Sequence, residues 1–323
     1  MSGILSFISS FELTARNCLY LWRTRRNHAF LNHRRMYEIL RRIHQIEKGM
    51  CINSPKQGFG IKKIDELIVY LNEIKPIVSE DPELLQTYNM GVDLISSYID
   101  CYRNNKWDLG LISEIIKNSE NLMPISSSSS KSAGAIIIQK ELHSDADYLK
   151  LYDIAKSRHS IRDFTGNTLS NKDIKDAIEI AQMAPSACNR QAVKYYIIDK
   201  SWFEKIHHWI SDIGYFGEYG FDKIILITGV ITGYNENENI QHLISPGIAI
   251  GYLMLALEAK NIGACVMQRH IMVNNDWISV CKTLNIPLDE QCICIIGCGD
   301  KREKYKVPIS KRFSIDAVVK TFE

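Results

Sequence analysis

The stretch SNKDIKDAIEIAQMAPSACNRQAVKYYIIDK, residues 170–200, predicts a helix, a tight turn and a strand in direct succession. Ser170 and Asp173 form a variant of the capping box that begins helices. The apolar residues that follow share one helix face at spacings of three and four: Ile174, Ala177, Ile178 and Ala181. Pro185 predicts where this helix stops, and the β-branched run at 194–200 predicts a buried strand.

Two later runs have the composition of buried strands, and a long apolar segment lies between them. The runs are DKIILITGVIT, residues 222–232, and EQCICIIGCGD, residues 290–300. The segment PGIAIGYLMLALEAKNIGAC, residues 246–265, is apolar all round from Ile248 to Leu257. That is roughly half of the ~20 residues that cross a bilayer, so the segment predicts a fully buried helix that ends at Gly263.

The first part of the chain predicts helices only. Its apolar residues recur at spacings of three and four, without strand-like alternation, in the segments 34–50, 61–78 and 81–103. Asp81 before Pro82 predicts the start of the third helix. A serine run at 125–131 cannot bury apolar area and predicts a flexible joint. We therefore expect a helical region at 1–125, a linker at 126–145 and a second domain at 146–323.

Composition and charge narrow the class of protein. The chain has 323 residues and a net charge of +2, which gives no strongly basic surface for nucleic acid. Its nine cysteines are scattered and odd in number, so a reducing cytoplasm is expected rather than a disulfide framework. Residues 1–50 carry nine Lys and Arg against three acids. This basic stretch fits an amphipathic helix packed on the rest of the protein, with weak attachment to a membrane surface as the alternative.

Three polar stretches have the chemistry to bind a ligand. In SRHSIRDF, residues 157–164, two guanidinium groups, an imidazole and a hydroxyl suit a phosphate, with a solvated basic turn as the alternative. Ser186 and Asn189 follow a helix-ending proline, and such a turn either holds a planar polar ligand or is stabilised by its own side chains. Lys311 and Arg312 begin a second amphipathic pattern, where cations oppose the helix dipole unless an anion is present; ordinary surface charge is the alternative.

In this order and spacing, the three stretches resemble the nitroreductase family of FMN-dependent enzymes. The matching pieces are RHSIRDF, APSACNRQ, AKNIGAC, IIGCGD and the terminal PISKRFSIDAVV. The resemblance implies an α+β fold, a three-layer α/β/α sandwich around a mixed, mainly antiparallel sheet, preceded here by the all-helical region. Two departures are visible: Ala192 and Val193 stand where the family often has Pro-Trp, and IGCGD lacks a proline that is common after that glycine.

The resemblance also implies roles for individual residues. The FMN phosphate and ribityl chain would be bound by Arg158, His159, Ser160, Lys311 and Arg312. Arg162 would lie near the N1/O2 edge of the flavin ring, and Gly263 would lie beside the flavin. The partner subunit of a homodimer would contribute Pro185, Ser186, Ala187, Asn189 and Gln191, and the helix from Gly247 to Asn261 would be buried in that dimer. NAD(P)H is the expected transient electron donor, and no acid/base pair is required.

Several other side chains give weaker hypotheses. Alternation along a strand would put Cys292 and Cys294 on one face, and with Cys298 they predict core cysteines rather than a metal site. His270 could reach the flavin, and Tyr215 with Phe216 could form an aromatic lid over it. A packing role is the alternative for these three residues.

The N-terminal half contains one motif-like element, IHQIEKGM at residues 43–50. Its His44, Glu47, Lys48 and Gly49 resemble a His-x-x-Glu-Lys-Gly element of long, two-part nitroreductase-like proteins from bacterial polysaccharide gene clusters. A plain helix C-terminus, with Lys in the last turn and Gly after it, is the alternative.

Three functions are compatible with these features. The leading hypothesis is a cytoplasmic FMN-dependent oxidoreductase that uses NAD(P)H to reduce, or in reverse dehydrogenate, a small molecule linked to surface polysaccharide biosynthesis. The second is a flavin-binding scaffold or regulator with little turnover that acts through its helical half. The third is a membrane-surface module fused to an inactive core.

Overall fold

A computed structural model of the chain describes residues 2–125, 131–210, 220–267 and 275–322. The first half is helical, as predicted, and its helices are α1 (Ser2–Arg26), α2 (Leu31–Met50), α3 (Ile61–Ile74), α4 (Pro82–Asn104) and α5 (Ser113–Ser119). The start of α4 is confirmed, because the Asp81 carboxylate accepts hydrogen bonds from the backbone N–H groups of Glu83 and Leu84. These helices bury a core of Ile, Leu and Tyr side chains between α2, α3 and α4.

The second half contains six helices and four strands within the described residues. The helices are α6 (Asp145–Ser157), α7 (Asn171–Gln182), α8 (Lys200–Ile210), α9 (Gln241–Ala259), α10 (Asn275–Leu284) and α11 (Ile315–Val318). The strands are β1 (Val193–Asp199), β2 (Lys223–Val230), β3 (Ile262–Met267) and β4 (Glu290–Asp300). The strand order is β1-β2-β4-β3, and each neighbouring pair is antiparallel. The only parallel pairing in the described residues is an isolated bridge between Ser160 and Ala264.

The sheet lies between two helical layers, which gives the predicted three-layer α/β/α arrangement. Alternate side chains of β2 point to opposite faces, so Ile224 and Leu226 pack in one core and Ile225 and Ile227 in the other. Helices α8 and α10 cover the first face, where Trp277 is fully buried. Helices α7 and α9 cover the second face.

Helix α7 begins at the predicted place, but the capping box does not form. The Ser170 hydroxyl accepts from the N–H of Lys172, whereas the Asp173 carboxylate pairs with Lys260 at 3.1 Å. The helix ends at Gln182, before Pro185, and Ile174, Ala177 and Ala181 are buried on its inner face.

The boundaries predicted for the long apolar helix were wrong at both ends. Helix α9 begins at Gln241 and contains Pro246, whose missing N–H leaves the carbonyl of His242 without its usual partner four residues on. Strand β2 passes close to this carbonyl, since a Cβ on Gly229 would lie 1.9 Å from the His242 oxygen. The helix ends at Ala259 because Asn261 adopts a left-handed conformation, with φ of 58°. Gly263 therefore lies in β3, a strand that the sequence pattern did not reveal.

The expectation that Cys292 and Cys294 share a face was also wrong. Ile227 pairs with Cys294 and Thr228 with Cys292, so the register shifts by one residue of β4 at this point. Because of this bulge, Cys292 packs in the core under α8 and α10 and Cys294 in the core under α7 and α9. All three cysteines of this strand are buried core residues.

The N-terminal helices pack directly against the sheet domain. The core cluster of the helical half includes Ala192, Val230 and Tyr234 from the second half. A Cβ on Gly233 would lie 2.8 Å from the Cβ of Ala192 and 3.6 Å from Tyr37. The core of the helical half therefore includes residues of the second half.

Part of the predicted linker is held by the helical half. The N–H and hydroxyl of Ser132 both donate to Asp93, and the Lys131 ammonium pairs with Asp100 at 2.6 Å. The serines 126–130 lie outside the described residues.

Candidate functional site

The predicted phosphate-binding residues lie along the outer edge of the sheet. We refer to residues 158–162 as the basic segment; it follows α6 and runs beside β3. The bridge between Ser160 and Ala264 holds it there, together with a hydrogen bond of 3.0 Å from the Ile161 N–H to the Ala264 carbonyl. His159 contacts the Ser157 carbonyl through Nδ1 at 2.6 Å, and Arg162 is exposed. Burial of Ile161 therefore anchors a segment whose neighbouring polar side chains remain accessible.

The basic segment affects the electrostatics of the Cys265 thiol in β3. Burial raises the pKa of Cys265, whereas the positive charge of Arg162, a hydrogen bond with Ser160 and the charge of Arg158 act in the opposite direction. Two guanidinium groups and a hydroxyl thus belong to one short segment held at the sheet edge. This donor set suits an anionic ligand.

The second predicted group is the polar turn, which we define as residues 185–191. It leads from α7 into β1. The Ser186 hydroxyl accepts from the Gln191 N–H at 2.9 Å, and the Ser186 carbonyl accepts from the Asn189 N–H at 2.9 Å. The turn is therefore stabilised internally, as the alternative interpretation expected, while the side chains of Pro185, Asn189 and Gln191 are exposed. Ala187, also expected at the flavin, is half-buried.

Sequence reasoning missed Arg190, which lies inside the polar turn. Its side chain is 2% exposed and forms a two-pronged ion pair with the Glu238 carboxylate. Its guanidinium also donates to the Gly233 carbonyl at 2.8 Å and lies 4.7 Å from the ring centre of Tyr234. The only signal in the sequence was an arginine among small polar residues, and a surface position would have explained it equally well.

The basic segment and the polar turn do not meet within one chain. The polar turn enters β1 at one edge of the sheet, and the basic segment accompanies β3 at the other edge. Adjacent strands are separated by about 4.8 Å, so three spacings put the two edges about 14 Å apart. Within one chain, the two groups therefore lie at separate edges of the sheet.

The remaining predicted binding residues occupy separate positions. Gly263 is buried within β3, where a Cβ would lie 3.0 Å from both the Gly299 carbonyl and the Phe164 ring, so packing inside the chain requires the glycine. Lys311 and Arg312 are exposed and precede α11, which is a single turn that begins after Ser314. The expectation that they begin a helix was wrong.

Several apolar surfaces near these groups are exposed in the single chain. Helix α9 was expected to be fully buried, yet one side of it is open to solvent along Leu243, Ile244, Gly247, Ile248, Gly251 and Tyr252. Helix α6 has no buried residue, and Ile309 and Phe313 of the C-terminal segment are almost fully exposed. Among the described residues, α9 is also the one helix whose length and composition would allow it to cross a membrane, but it packs against the sheet.

Residues 43–50, which we call the Glu47 element, have a structural role in this chain. Glu47 lies near the end of α2 and accepts a hydrogen bond of 3.1 Å from the Gly134 N–H, so it holds the segment that follows the serine run. Gly49 belongs to α2 rather than following it, and a Cβ there would lie 2.6 Å from Phe59. Lys48 is exposed in the last turn, as the helix-end interpretation expected.

The other hypotheses concern a histidine, an aromatic lid and a metal site. His270, Tyr215 and Phe216 lie outside the described residues. Within the described ranges, no group of three or more His, Cys, Asp or Glu side chains is arranged to hold a metal ion.

The architecture defines the C-terminal half as an α/β/α sandwich domain with cationic groups at one sheet edge and a polar turn at the other. Residues 155–212 and 223–300 match the nitroreductase family. The match lies within this half, and it confirms the resemblance to the nitroreductase family that the sequence motifs carry.

Individual relatives are distant. The chain is 24% identical over 182 residues to the iodotyrosine deiodinase of Thermotoga neapolitana, an alignment that covers 48% of this chain and 92% of that protein. It is 36% identical over 52 residues to a protein named as an NAD(P)H nitroreductase in Streptococcus pyogenes, which covers 16% of this chain and 26% of that protein.

Solved structures of similar shape include two nitroreductases crystallised with bound FMN. The one from Bacteroides fragilis is 13% identical, and the match covers 54% of this chain and 99% of that protein, with a TM-score of 0.46. The one from Desulfitobacterium hafniense is 19% identical, and the match covers 54% of this chain and 98% of that protein, with a TM-score of 0.43.

Proposed function

We propose that the protein is an FMN-dependent oxidoreductase that takes reducing equivalents from NAD(P)H and passes them to a small molecule. The observation that carries this proposal is that Arg158, Ser160 and Arg162 lie in one short segment held against the edge of β3. A phosphate monoester needs charged and hydroxyl donors, and the electron-rich N1/O2 edge of a flavin needs a cation. The three side chains supply this donor set, so the residues present fit FMN.

In this proposal the chain provides binding, orientation and electrostatics. When bound, FMN would supply N5 as the acceptor of a hydride from the nicotinamide and then, in a ping-pong cycle, as the hydride donor to the substrate. Arg158, Ser160 and His159 hold the phosphate and ribityl chain, assisted by Lys311 and Arg312. Arg162 stabilises negative charge that accumulates at the N1/O2 edge on reduction, because a fixed cation needs no reorganisation during the reaction. The name of the streptococcal relative supports NAD(P)H as the donor.

We further propose that the active form is a homodimer in which the polar turn of one subunit meets the basic segment of the other. The separation of the two groups by the width of the sheet in one chain supports this arrangement. The exposed apolar side of α9 supports it too, because contiguous apolar surface of this kind marks association sites. Pro185, Ser186, Asn189 and Gln191 would then contact the flavin across the interface.

Two finer parts of the proposal concern the biological process and the location in the cell. The Glu47 element supports a place in bacterial surface polysaccharide biosynthesis through its resemblance to proteins of such gene clusters. The scattered free cysteines support a cytoplasmic location.

A flavin-binding scaffold is the second candidate function, and one observation favours it. The helical half lies against the polar turn, and a cavity of about 300 Å³ between them is lined by Met36, Tyr37, Glu83, Arg190 and Gln191, among others. Helices so close to the proposed flavin contacts would allow the N-terminal half to restrict access to the cofactor.

The visible absorption spectrum tests both candidates. Full-length protein incubated with FMN and desalted is expected to be yellow, and its flavin bands are expected to bleach when NADH or NADPH is added without oxygen. Protein that stays colourless after incubation with FMN contradicts both functions. Protein that holds FMN but is not bleached by either nucleotide contradicts the oxidoreductase and supports the scaffold.

Substitution at the basic segment makes the test specific. Arg158→Met is expected to weaken FMN binding by ~1.5–3 kcal/mol, or roughly 10- to 100-fold, because a charged hydrogen bond to the phosphate is lost. Lys48→Met is the matched control, since it removes an exposed cation at the end of α2. Equal affinity in the two variants would show that the basic segment does not bind the phosphate.

A further inference from the structure

Arg190 is a buried charge that the proposed chemistry does not use. Moving a guanidinium out of water is costly unless it is paired and hydrogen-bonded. Here the Glu238 carboxylate, the Gly233 carbonyl and the Tyr234 ring supply these partners. Of the residues 185–191, all of which the structure describes, Arg190 is the one that is buried. The polar turn is thus attached to the protein interior through this side chain.

The backbone of the polar turn is in a conformation that has to be held. Cys188, Asn189 and Gln191 have φ of 54°, 49° and 53°, the left-handed region that L-residues with side chains rarely adopt. Such conformations persist where surrounding contacts determine them. The hydrogen bonds to Ser186 act within the turn, whereas Arg190 connects it to the segment 233–238.

A second chain of contacts leads from Arg190 through Tyr234. The Tyr234 hydroxyl lies 3.0 Å from the Ser245 hydroxyl in α9, and the Ala187 N–H lies 3.5 Å from the same Ser245 oxygen. Both ends of the polar turn are therefore tied to one buried network.

The acidic segment that holds Arg190 is in turn held by the N-terminal helix. The Arg25 guanidinium donates to the side chain and the carbonyl of Asn239, at 3.0 and 3.3 Å. Arg26 pairs with Glu236 at 3.1 Å. The basic end of α1 thus contacts both sides of Glu238, which itself lies in the short helical turn Glu236–Glu238.

We propose that Arg190 and Glu238 are positioning residues that fix the polar turn for FMN, and that α1 contributes to cofactor affinity by holding the Glu238 segment. The inference rests on the proposed function. It gives the basic N-terminal helix a role inside the molecule, because its arginines complete a path of contacts from α1 through 236–239 to the residues that would contact the flavin.

The test compares substitutions along this path in the full-length chain. Arg190→Met keeps most of the side-chain volume and removes the ion pair, and it is expected to raise the FMN dissociation constant at least about tenfold, because binding must then order the turn. Arg190→Lys is expected to recover part of the affinity. Arg25→Ala combined with Arg26→Ala is expected to raise the constant by a smaller factor, roughly threefold, since the turn keeps its direct ion pair and loses only the support of Asn239 and Glu236.

A matched control separates positioning from general stability. Lys223→Met removes another buried cation, paired with Asp199 at the far end of β1 and β2, and is expected to lower the melting temperature without changing FMN affinity. Amide hydrogen exchange of residues 186–192 in the FMN-free protein gives a second readout. It is expected to be faster in Arg190→Met and unchanged in Lys223→Met.

The outcomes distinguish the inference from the function on which it rests. Wild-type protein that does not bind FMN contradicts the proposed function itself. If the wild type binds FMN and Arg190→Met binds it equally well, with unchanged exchange in the turn, the role of Arg190 is overturned while the function stands. If Arg25→Ala with Arg26→Ala leaves affinity unaltered, the contribution of α1 is overturned.

Discussion

At the scale of single residues, Glu290 is an acid placed where its charge is disfavoured. It lies at the start of β4 and is 3% exposed. The Tyr196 hydroxyl lies 2.9 Å from both carboxylate oxygens, and the Thr228 hydroxyl also donates to one of them. Burial raises the pKa of Glu290 from 4.5 to about 7, and the neighbouring Asp289 acts in the same direction, while the two hydroxyl bonds and Lys194 act against it. This carboxyl therefore titrates near neutral pH.

The raised pKa predicts a pH dependence of stability. The folded chain binds this proton more tightly than the unfolded chain does. The resulting stabilisation is fully present below about pH 4.5 and is lost as the pH rises towards about 7. The full difference of ~2.5 pKa units corresponds to at most about 3 kcal/mol. Glu290→Gln cannot ionise and keeps the shape of the side chain. Urea titrations between pH 5 and 7.5 give the free energy of unfolding of both proteins. The wild-type value minus the Glu290→Gln value should fall as the pH rises.

The subtraction also removes the effects of two nearby histidines. The hydrogen bond with Asp289 raises the pKa of His33, so its contribution is lost as the pH rises above 6.5. Burial lowers the pKa of His242 to about 4, so its contribution is lost as the pH falls below 6.5. Both histidines are present in wild type and variant. A flat difference between the two proteins would show that Glu290 is ionised throughout this range.

At the scale of elements, the exposed side of α9 is the feature that a single chain leaves unexplained. Ile248 and Tyr252 are each 40% exposed on a helix whose opposite side packs against the sheet. Gly247 and Gly251 lie on the same side, where a Cβ would meet nothing within 4 Å. Small residues of this kind allow a second helix to approach closely, which agrees with a dimer built around α9.

The dimer proposal predicts that charge on this side of α9 separates the subunits. Ile248→Glu is expected to convert the dimer to monomer, since burial of an unpaired carboxylate is costly, and to reduce FMN retention with it. Val69→Glu is the matched control, because Val69 is 53% exposed on α3 and belongs to the helical half. Light scattering after size exclusion gives the mass of each variant. A dimeric Ile248→Glu protein that still holds FMN would argue against an interface at α9.

Elements with a strong local pattern were predictable from the sequence, and those set by non-local contacts were not. The runs at 194–200, 222–232 and 290–300 became β1, β2 and β4, because β-branched residues bounded by turn formers have few alternatives. Strand β3 was missed because it follows α9 after a two-residue break in which only the conformation of Asn261 stops the helix. The bulge at 292–294 depends on pairing with β2, which no local pattern encodes.

In the candidate site, too, local features were visible in the sequence and non-local contacts were not. The spacing of charged and hydroxyl residues located the basic segment and the polar turn, since both are local features. Their placement at opposite edges of the sheet follows from the strand order. Arg190 was overlooked because its burial requires Glu238 and Tyr234, which lie more than forty residues away in sequence.

At the scale of the whole molecule, the helical half and the sheet domain are joined by more than a linker. Ala192, Val230 and Tyr234 belong to the same core cluster as Tyr37 and the other buried residues of α2 to α4. Polar contacts cross the same boundary: Lys194 of β1 pairs with Glu83 of α4, and His33 of α2 lies 3.1 Å from the fully buried Asp289. Separating the halves would expose this core and remove the contact between His33 and Asp289.

The shared core predicts that both halves unfold in one transition. Cooperative unfolding makes different probes report the same midpoint. Pulsed hydrogen exchange along a urea titration, read by mass spectrometry of peptides from 31–104 and 223–267, follows the two halves in the same sample. Leu67→Ala, a cavity substitution at a fully buried position of α3, should destabilise by ~2–5 kcal/mol and shift both midpoints together, although Leu67 lies in the helical half. If only the peptides of the helical half shift, the halves are independent domains, and the contacts between Arg25, Arg26 and the segment 236–239 could not transmit an effect to the polar turn.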